Sequence, residues 1–426
     1  MTSSRFQCQV VIGALVLTSF GSGCTFDTSA PPIDDVIIVP TRLLVPSNDA
    51  RIEHLEGVNV GLTVPTGLVV DLDTDTGEIS IRDGATVRAS GEGVVDGIGF
   101  YRLDNGASLL AVGELEVGKD GSLWPVGSRP LIVLSEGDIV VEGDIDVSAP
   151  CDGETLACAG PGGGNGSTSQ SDKAQGCAPG GNGAGLVGTA NRTGGGGGGL
   201  REDGASGGTA GSGTVAGGSG GELDPLTCPN DELVPFTGGS GGGAGGLDTY
   251  GGDGGGGGGA LQLTSFTSIE VRASASDFAL GIFANGGGGG GAYDGGGGGG
   301  GSGGVILLEA PAITLRSVRI TANGGGGGSG GGRSVATEDG ESGQPNAEPA
   351  SGGSGGGFPG GAGGTGTVSP QPGWSGGIDT GGGGGSAGII RFHVDPAALI
   401  REGSIIEPAP IIAEPRWSEP GADAGE

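Results

Sequence analysis

From about Arg51 to Ala149 the chain is written in short alternating runs. Val58, Val60, Leu62 and Val64 alternate with Asn59, Gly61 and Thr63, and Ile79-Ser80-Ile81, Leu115-Glu116-Val117 and Ile145-Asp146-Val147 repeat the pattern. Each run stops at Gly, Asp or Pro, and no 3.6-residue period appears, so the pattern predicts strands and turns. A module then recurs. Leu131-Ile132-Val133-Leu134 precedes Ile139-Val140-Val141 and Ile145-Asp146-Val147; Leu261-Gln262-Leu263 precedes Ile269-Glu270-Val271 and Leu280-Gly281-Ile282. Val305-Ile306-Leu307-Leu308 precedes Ile313-Thr314-Leu315 and Val318-Arg319-Ile320, and Ile389-Ile390-Arg391-Phe392 opens a partial fourth copy ending in Ala398-Leu399-Ile400. The second and third copies both leave through Ala-Asn into polyglycine, at Ala284-Asn285-Gly286 and Ala322-Asn323-Gly324.

Short strands repeated around long insertions that leave at one point predict an all-β fold, a parallel β-solenoid with polyglycine insertions. In it Ile313 and Leu315 face the same interior as Ile269 and Val271. The alternative is an antiparallel β-sandwich with disordered glycine-rich loops. Runs such as Gly254–Gly259 and Gly295–Gly301 lack the Gly-X-Y triplet of collagen. They are either disordered or packed side by side as extended threefold helices. As insertions outside the strand core, they are expected to tolerate shortening.

The N-terminus bears on compartment. One positive charge within Met1–Arg5, the apolar run Val10–Phe20 and the small residues Gly21-Ser22-Gly23 lead into Cys24. That run is too short to span a membrane as a helix and reads as a secretory signal. A cysteine after small residues resembles a bacterial lipobox, which implies lipidation of Cys24. Thr25, where inner-membrane retention favours Asp, points to the outer membrane; plain secretion is the alternative. The expected organisation is a signal at 1–23, a polar tether at 24–50, an N-terminal β region at 51–150 and a glycine-rich insertion at 151–260. Coils with polyglycine loops follow at 261–400, then an acidic, proline-containing tail at 401–426.

The 426 residues suffice for one elongated domain or two small ones, but 109 are glycine and only 4% are aromatic. A compact mixed α/β core would hold more large side chains. Forty-nine acidic against 18 basic residues leave a net charge of −31. That excludes nucleic acid and anionic membrane surfaces as electrostatic partners. With Cys8 in the signal and Cys24 at the anchor, Cys151, Cys158, Cys177 and Cys228 remain, an even set in an exported segment. Two disulfides are expected, with all three pairings open. The absence of any CxxC pair argues against zinc.

The runs around Ala284-Asn285 and Gly303-Gly304-Val305-Ile306-Leu307-Leu308-Glu309 resemble the glycine-rich surface lipoproteins of myxobacteria, often described as similar to the PE-PGRS proteins of mycobacteria. The resemblance covers about residues 129–400, is mainly compositional, and does not extend to the N-terminal helical domain of the mycobacterial family. It implies a cell-envelope location and no known enzymatic activity.

Motifs with catalytic or metal-binding outlines fail on chemistry. Gly113–Lys119 spells the phosphate-loop pattern, but Asp120 stands where Ser or Thr would hold magnesium, and Glu114 and Glu116 would repel phosphate. Ser219, Ser240, Ser354 and Ser375 each sit in G-x-S-x-G, without a following helix or a histidine nearby in sequence. His393, two residues before Asp395, is expected to face solvent. Asp71, Asp73 and Asp75 resemble the start of a calcium loop, but glycine comes one place late at Gly77 and Arg82 occupies the twelfth position. Gly243–Gly251 nearly matches a calcium-binding nonapeptide, once and not in tandem. The expected function is a non-catalytic, lipid-anchored structural or adhesive surface protein without cofactor, meeting envelope polysaccharide or surface proteins. A β-helix polysaccharide-active enzyme and a calcium-binding surface protein are the alternatives; the first would need a cationic groove.

Overall fold

The computed structural model describes residues 43–149, 155–168, 172–185, 191–211, 213–246, 251–273, 280–332 and 336–418. Cys24 and Cys151 lie outside them. The protein is nearly all β, with 29% strand and 3% helix. Among the described residues the strands form three sheets, none closed on itself. Sheet I contains the parallel strands Ser108–Val112, Leu131–Ser135, Ala260–Ser265, Val305–Glu309, Ile389–His393 and Ile411–Ala413. Sheet II stacks Leu62–Val64, Leu115–Val117, Ile139–Val141, Ser268–Arg272, Ala312–Arg316 and Leu399–Glu402. Sheet III aligns Val69–Asp73, Ser122–Val126, Asp144–Asp146, Gly281–Phe283, Arg319–Thr321 and Ile405–Glu407. From Ser108 onward the chain visits I, II and III in turn and then returns to I.

Parallel pairing puts equivalent residues of each module directly over one another. Leu131, Leu261, Ile306 and Ile390 align in sheet I, Ile139, Ile269, Ile313 and Leu399 in sheet II, and Ile145, Ile282, Ile320 and Ile406 in sheet III. Most of these side chains are buried in one core. Aliphatic columns of this kind bury apolar area in every row, so few aromatics are needed. This pairing does not fit the antiparallel-sandwich alternative. Antiparallel ladders between strands occur at the N-terminal edge, where Ile79–Ile81 and Thr86–Arg88 extend sheet III and Ile98–Arg102 and Gly93–Val95 extend sheet I. There the buried Arg88 donates to the carbonyls of Gly77, Ala89, Gly91, Gly93 and Ile98, satisfying backbone that no further strand pairs.

The outer face of sheet I is buried too. Leu109, Ile132, Leu134, Val305 and Leu307 form a second cluster, covered by Ala50, Leu55 and Val58 and by Leu200, Leu233 and Phe236. Burial on both faces explains why Leu131–Leu134 and Val305–Leu308 are continuously apolar, whereas strands of sheets II and III alternate. The ends of the chain differ from expectation. Ile405–Glu407 and Ile411–Ala413, in the expected tail, pair as strands, and Leu44, in the expected tether, bridges Trp417.

Ile313 is fully buried in its column. Ile313→Asp should therefore leave an unpaired charge in the core and lower stability by about 3–5 kcal/mol. Equilibrium unfolding of the variant and wild type checks this; unchanged stability would contradict the column.

Candidate functional site

Every glycine-rich insertion leaves after a sheet III strand and re-enters at a sheet I strand. The shared Ala-Asn exit has a physical cause. Ser148, Asn285 and Asn323 occupy equivalent positions just past sheet III. Ser148 Oγ accepts from Asn285 N (2.9 Å), Asn285 Oδ1 accepts from Asn323 N (2.9 Å), and Asn323 Nδ2 donates to the Gln344 and Asn346 carbonyls (both 2.7 Å). These side chains supply acceptors where the strand ladder ends.

Beyond the exits the glycine runs are ordered, and their hydrogen bonds repeat every three residues. Gly297, Gly300 and Gly303 donate to Thr380, Gly383 and Ser386 of one neighbouring run; Gly298, Gly301 and Gly304 donate to Gly290, Gly287 and Ala284 of a second. Gly299 and Ser302 donate to Gly243 and Ser240 of a third. Three residues per turn, each addressing a different neighbour, is the geometry of an extended threefold helix. The absent side chain is the enabling feature. A Cβ on Gly298, Gly299 or Gly300 would lie 1.9, 2.0 or 2.1 Å from the backbone carbonyl oxygens of Asp253, Gly196 and Gly325. The α-hydrogens thus face carbonyls of adjacent runs, in the manner of weak Cα–H···O contacts. The expectation that Gly295–Gly301 could be shortened at little cost is overturned: Gly296–Gly301 are buried and pair with six other stretches of chain.

Hydroxyl residues occupy seams of this array in step with its three-residue period, as at Thr380 and, two periods on, Ser386. Thr380 Oγ1 accepts from Gly194 N (2.9 Å) and donates to the Gly208 carbonyl (2.7 Å), while Ser386 Oγ accepts from Leu200 N (2.9 Å). A run such as 286–292, at about 3.1 Å per residue, carries the chain about 20 Å from the sheets. At that far end Arg192 reaches Asp294 (2.6 Å) and Asp379 (2.5 Å), all three side chains being buried. Burial without counter-charge would be costly for each of them, so the bridge ties three turns together.

The residues singled out in the sequence are dispersed. Cys177 and Cys228 form a disulfide, and Cys158 is also disulfide-bonded. Asp71 pairs with Arg82 (2.5 Å), Asp73 Oδ1 accepts from the amides of Asp75 and Thr76, and Asp75 accepts from Ser128. Among the described residues no three His, Cys, Asp or Glu side chains gather as a metal site. Leu115–Val117 is a strand of sheet II, so Gly113–Lys119 does not form a phosphate-binding loop. Ser240 lies within the array beside Cys177, Ser354 Oγ bonds Glu338, and Ser375 Oγ accepts from Thr209 N.

His393 is a correction: it is 2% exposed, on the outer face of sheet I under Ser47. Its Nδ1 lies 2.6 Å from Glu309 Oε1, and Arg391 Nε donates to its Nε2 (2.6 Å). Arg391 and Glu309 thus meet opposite nitrogens of the ring. Ser47 Oγ donates to Glu309 Oε1 (2.6 Å) and approaches the same Nδ1 (3.4 Å). A Ser-His-acid triad needs serine and carboxylate on opposite ring nitrogens, so this is a structural network. Gln262 and Thr264 complete it with further bonds to Glu309. Burial pushes the Glu309 carboxyl up, but the hydrogen bond and electrostatic attraction from His393, with hydrogen bonds from Ser47, outweigh it and hold the group below the ordinary glutamate range. Nearby, an apolar cleft of about 460 Å³ lies between the disulfide segment and the sheet I edge, lined by Leu200, Leu223, Pro225, Cys228, Ile389 and Ile411.

Comparison with protein families, with curated proteins and with solved structures found no match to this chain.

Gly299→Ala, placed against backbone, should destabilise by about 1–3 kcal/mol. Gly332→Ala, whose Cβ would meet only an Asp379 oxygen at 3.6 Å, should stay within about 0.5 kcal/mol of wild type; equal melting of the two would contradict the array. Because Glu309 is held below its unfolded value, its contribution is present at neutral pH and is lost as pH falls through and below the ordinary glutamate range. A stability-against-pH profile should show that acid limb in wild type and a flatter one in Glu309→Gln.

Proposed function

We propose that this chain is a non-catalytic, lipid-anchored protein of a bacterial cell surface. Sheets I–III are the three walls of one parallel β-solenoid, and the glycine array is a rigid platform projecting from one of its corners. The observation that carries this reading is the three-residue hydrogen-bond period of runs 238–246, 284–291, 296–304, 323–331 and 378–388. So much backbone packed without side chains offers almost no functional groups for catalysis, yet it holds surface turns at a fixed distance from the sheets. Supporting the solenoid, the chain passes through the three sheets in constant order and stacks its apolar residues in register.

An enzymatic reading fits less well. His393 is held between Arg391 and Glu309 beneath a covering segment, where it cannot serve as a general base. The acidity of the chain suits a hydrated outer surface and disfavours a groove for acidic sugars. The short apolar segment ending at Gly21-Ser22-Gly23-Cys24 supports export and lipid attachment.

Mass spectrometry of the membrane fraction should find a diacylated N-terminal Cys24, and amine-reactive labelling of intact cells should reach Lys173. Cys24→Ser should leave the detergent-extracted fraction. Retention of the variant there, or label only after lysis, would contradict the anchored surface location.

A further inference from the structure

The far end of the glycine array displays apolar side chains on turns that are unusually well held. Tyr293 and Ile378, each 49% exposed, immediately precede Asp294 and Asp379, the two carboxylates that Arg192 bridges. Arg192 N also donates to the Ile378 carbonyl (2.7 Å). A buried ionic bridge therefore fixes the backbone directly behind two outward-facing apolar residues. Trp374, 41% exposed, lies on the same set of turns: Gly381 N donates to its carbonyl, Gly376 N donates to the Thr209 carbonyl and the Gly377 carbonyl accepts from Gly211 N. Its ring sits 5.1 Å from that of Phe358, tilted by 42°. Phe358 in turn packs on Gly377, where a Cβ would come within 2.5 Å of the ring.

The other tryptophans are engaged elsewhere. Trp124 lies under the Arg82 guanidinium at 4.3 Å, and Trp417 is half-buried on the segment whose backbone pairs with Leu44, away from the array. Exposed serines stand close in the chain to each member of this Phe358–Trp374 pair, and one of them meets an exposed carboxylate. Ser375 follows Trp374, and Ser354 precedes the short turn leading to Phe358 and donates to Glu338 Oε2 (2.5 Å). The hydrogen bonds from Ser354 hold Glu338 below the ordinary glutamate range, so it remains an acceptor.

From this juxtaposition we infer that the tip of the glycine array is a binding surface for a neutral polysaccharide, with Trp374 as the stacking platform. The inference rests on the surface-platform reading above. Sugar rings present C–H faces that stack on an aromatic ring and hydroxyls that donate to carboxylate and serine oxygens. The net charge of −31 repels polyanions and opposes a second copy of the chain, and an exposed indole suits the C–H face of an uncharged sugar ring. Turns locked by Arg192 lose little freedom on binding, so modest contact area suffices for useful affinity, and multivalent display on a cell surface adds avidity.

The test is affinity electrophoresis of the full lipidated protein in mild detergent, through gels containing mannan, galactan, dextran or soluble β-glucan, with alginate as the anionic control. Wild type should be retarded in at least one neutral gel and not in alginate. Trp374→Ala should weaken that retardation about tenfold or more, Trp374→Phe should restore part of it, and Trp124→Ala should leave it unchanged. No retardation in any neutral gel, or equal retardation of wild type and Trp374→Ala, would overturn the inference. So would concentration-dependent self-association that Trp374→Ala abolishes, which would make the tip a contact between copies. Labelling of Lys173 on intact cells distinguishes the two levels. A labelled protein that ignores every neutral glycan defeats this inference alone, whereas an unlabelled one defeats the platform reading.

Discussion

The close approach of one backbone to another is the constraint on which the rest of this structure depends. In the glycine array an amide of each residue donates to one neighbouring run while its α-carbon faces the carbonyl of another, as at Gly299 between Gly243 and Gly196. Neither contact leaves room for a methyl group. Glycine loses more conformational freedom on ordering than any other residue, and such runs bury little apolar surface to offset that loss. Two features supply the balance. Buried amides of the array such as those of Gly194, Leu200 and Gly299 find carbonyl or hydroxyl acceptors, which avoids the large penalty of unpaired polar groups. The strand rows anchor each long insertion at both ends, so the loops are closed before they order.

The sheets and the array are therefore mutually dependent. The rows place successive exits one above another, with Ser148, Asn285 and Asn323 passing hydrogen bonds between them. The runs then leave in an aligned set, already near the spacing they need. In return, residues carried by the glycine-rich segment, Leu200, Leu233 and Phe236, cover the outer face of sheet I. The Cys177–Cys228 disulfide staples part of that cover. Polar residues within this arrangement occur where a particular bond is required. Thr380 and Ser386 replace backbone partners along one seam, Glu309 and His393 satisfy each other beneath Ser47, and Arg192 closes the far turns.

Strand spacing was legible in the sequence because a half-buried strand must alternate and a strand buried on both faces must be continuously apolar. The columns of Ile269 over Ile313 and Val271 over Leu315 follow directly from that spacing. The two candidate states of polyglycine were not separable, since runs without side chains carry no period, and each run takes partners from distant segments such as 194–199 against 297–300. The C-terminal strands were hidden by their brevity: Ile405-Ile406 and Ile411-Ile412 are too short to show alternation among prolines. His393 was misjudged for a related reason. Its strand is buried on both faces, and the residues that cover it, Ser47 and the Asp231–Glu232 turn, lie far away in sequence. The tip was invisible because Phe358 and Trp374 meet, and Asp294 and Asp379 share Arg192, only through the geometry of the array.

Hydrogen–deuterium exchange, resolved by peptide, reads whether the glycine runs are ordered, because an amide exchanges slowly only while its hydrogen bond persists. Peptides covering 296–304 and 323–331 should exchange as slowly as those covering the sheet I strands Leu131–Ser135 and Val305–Glu309. Exchange of the glycine peptides within seconds, while those strands stay protected, would show that the runs are loops and contradict the account.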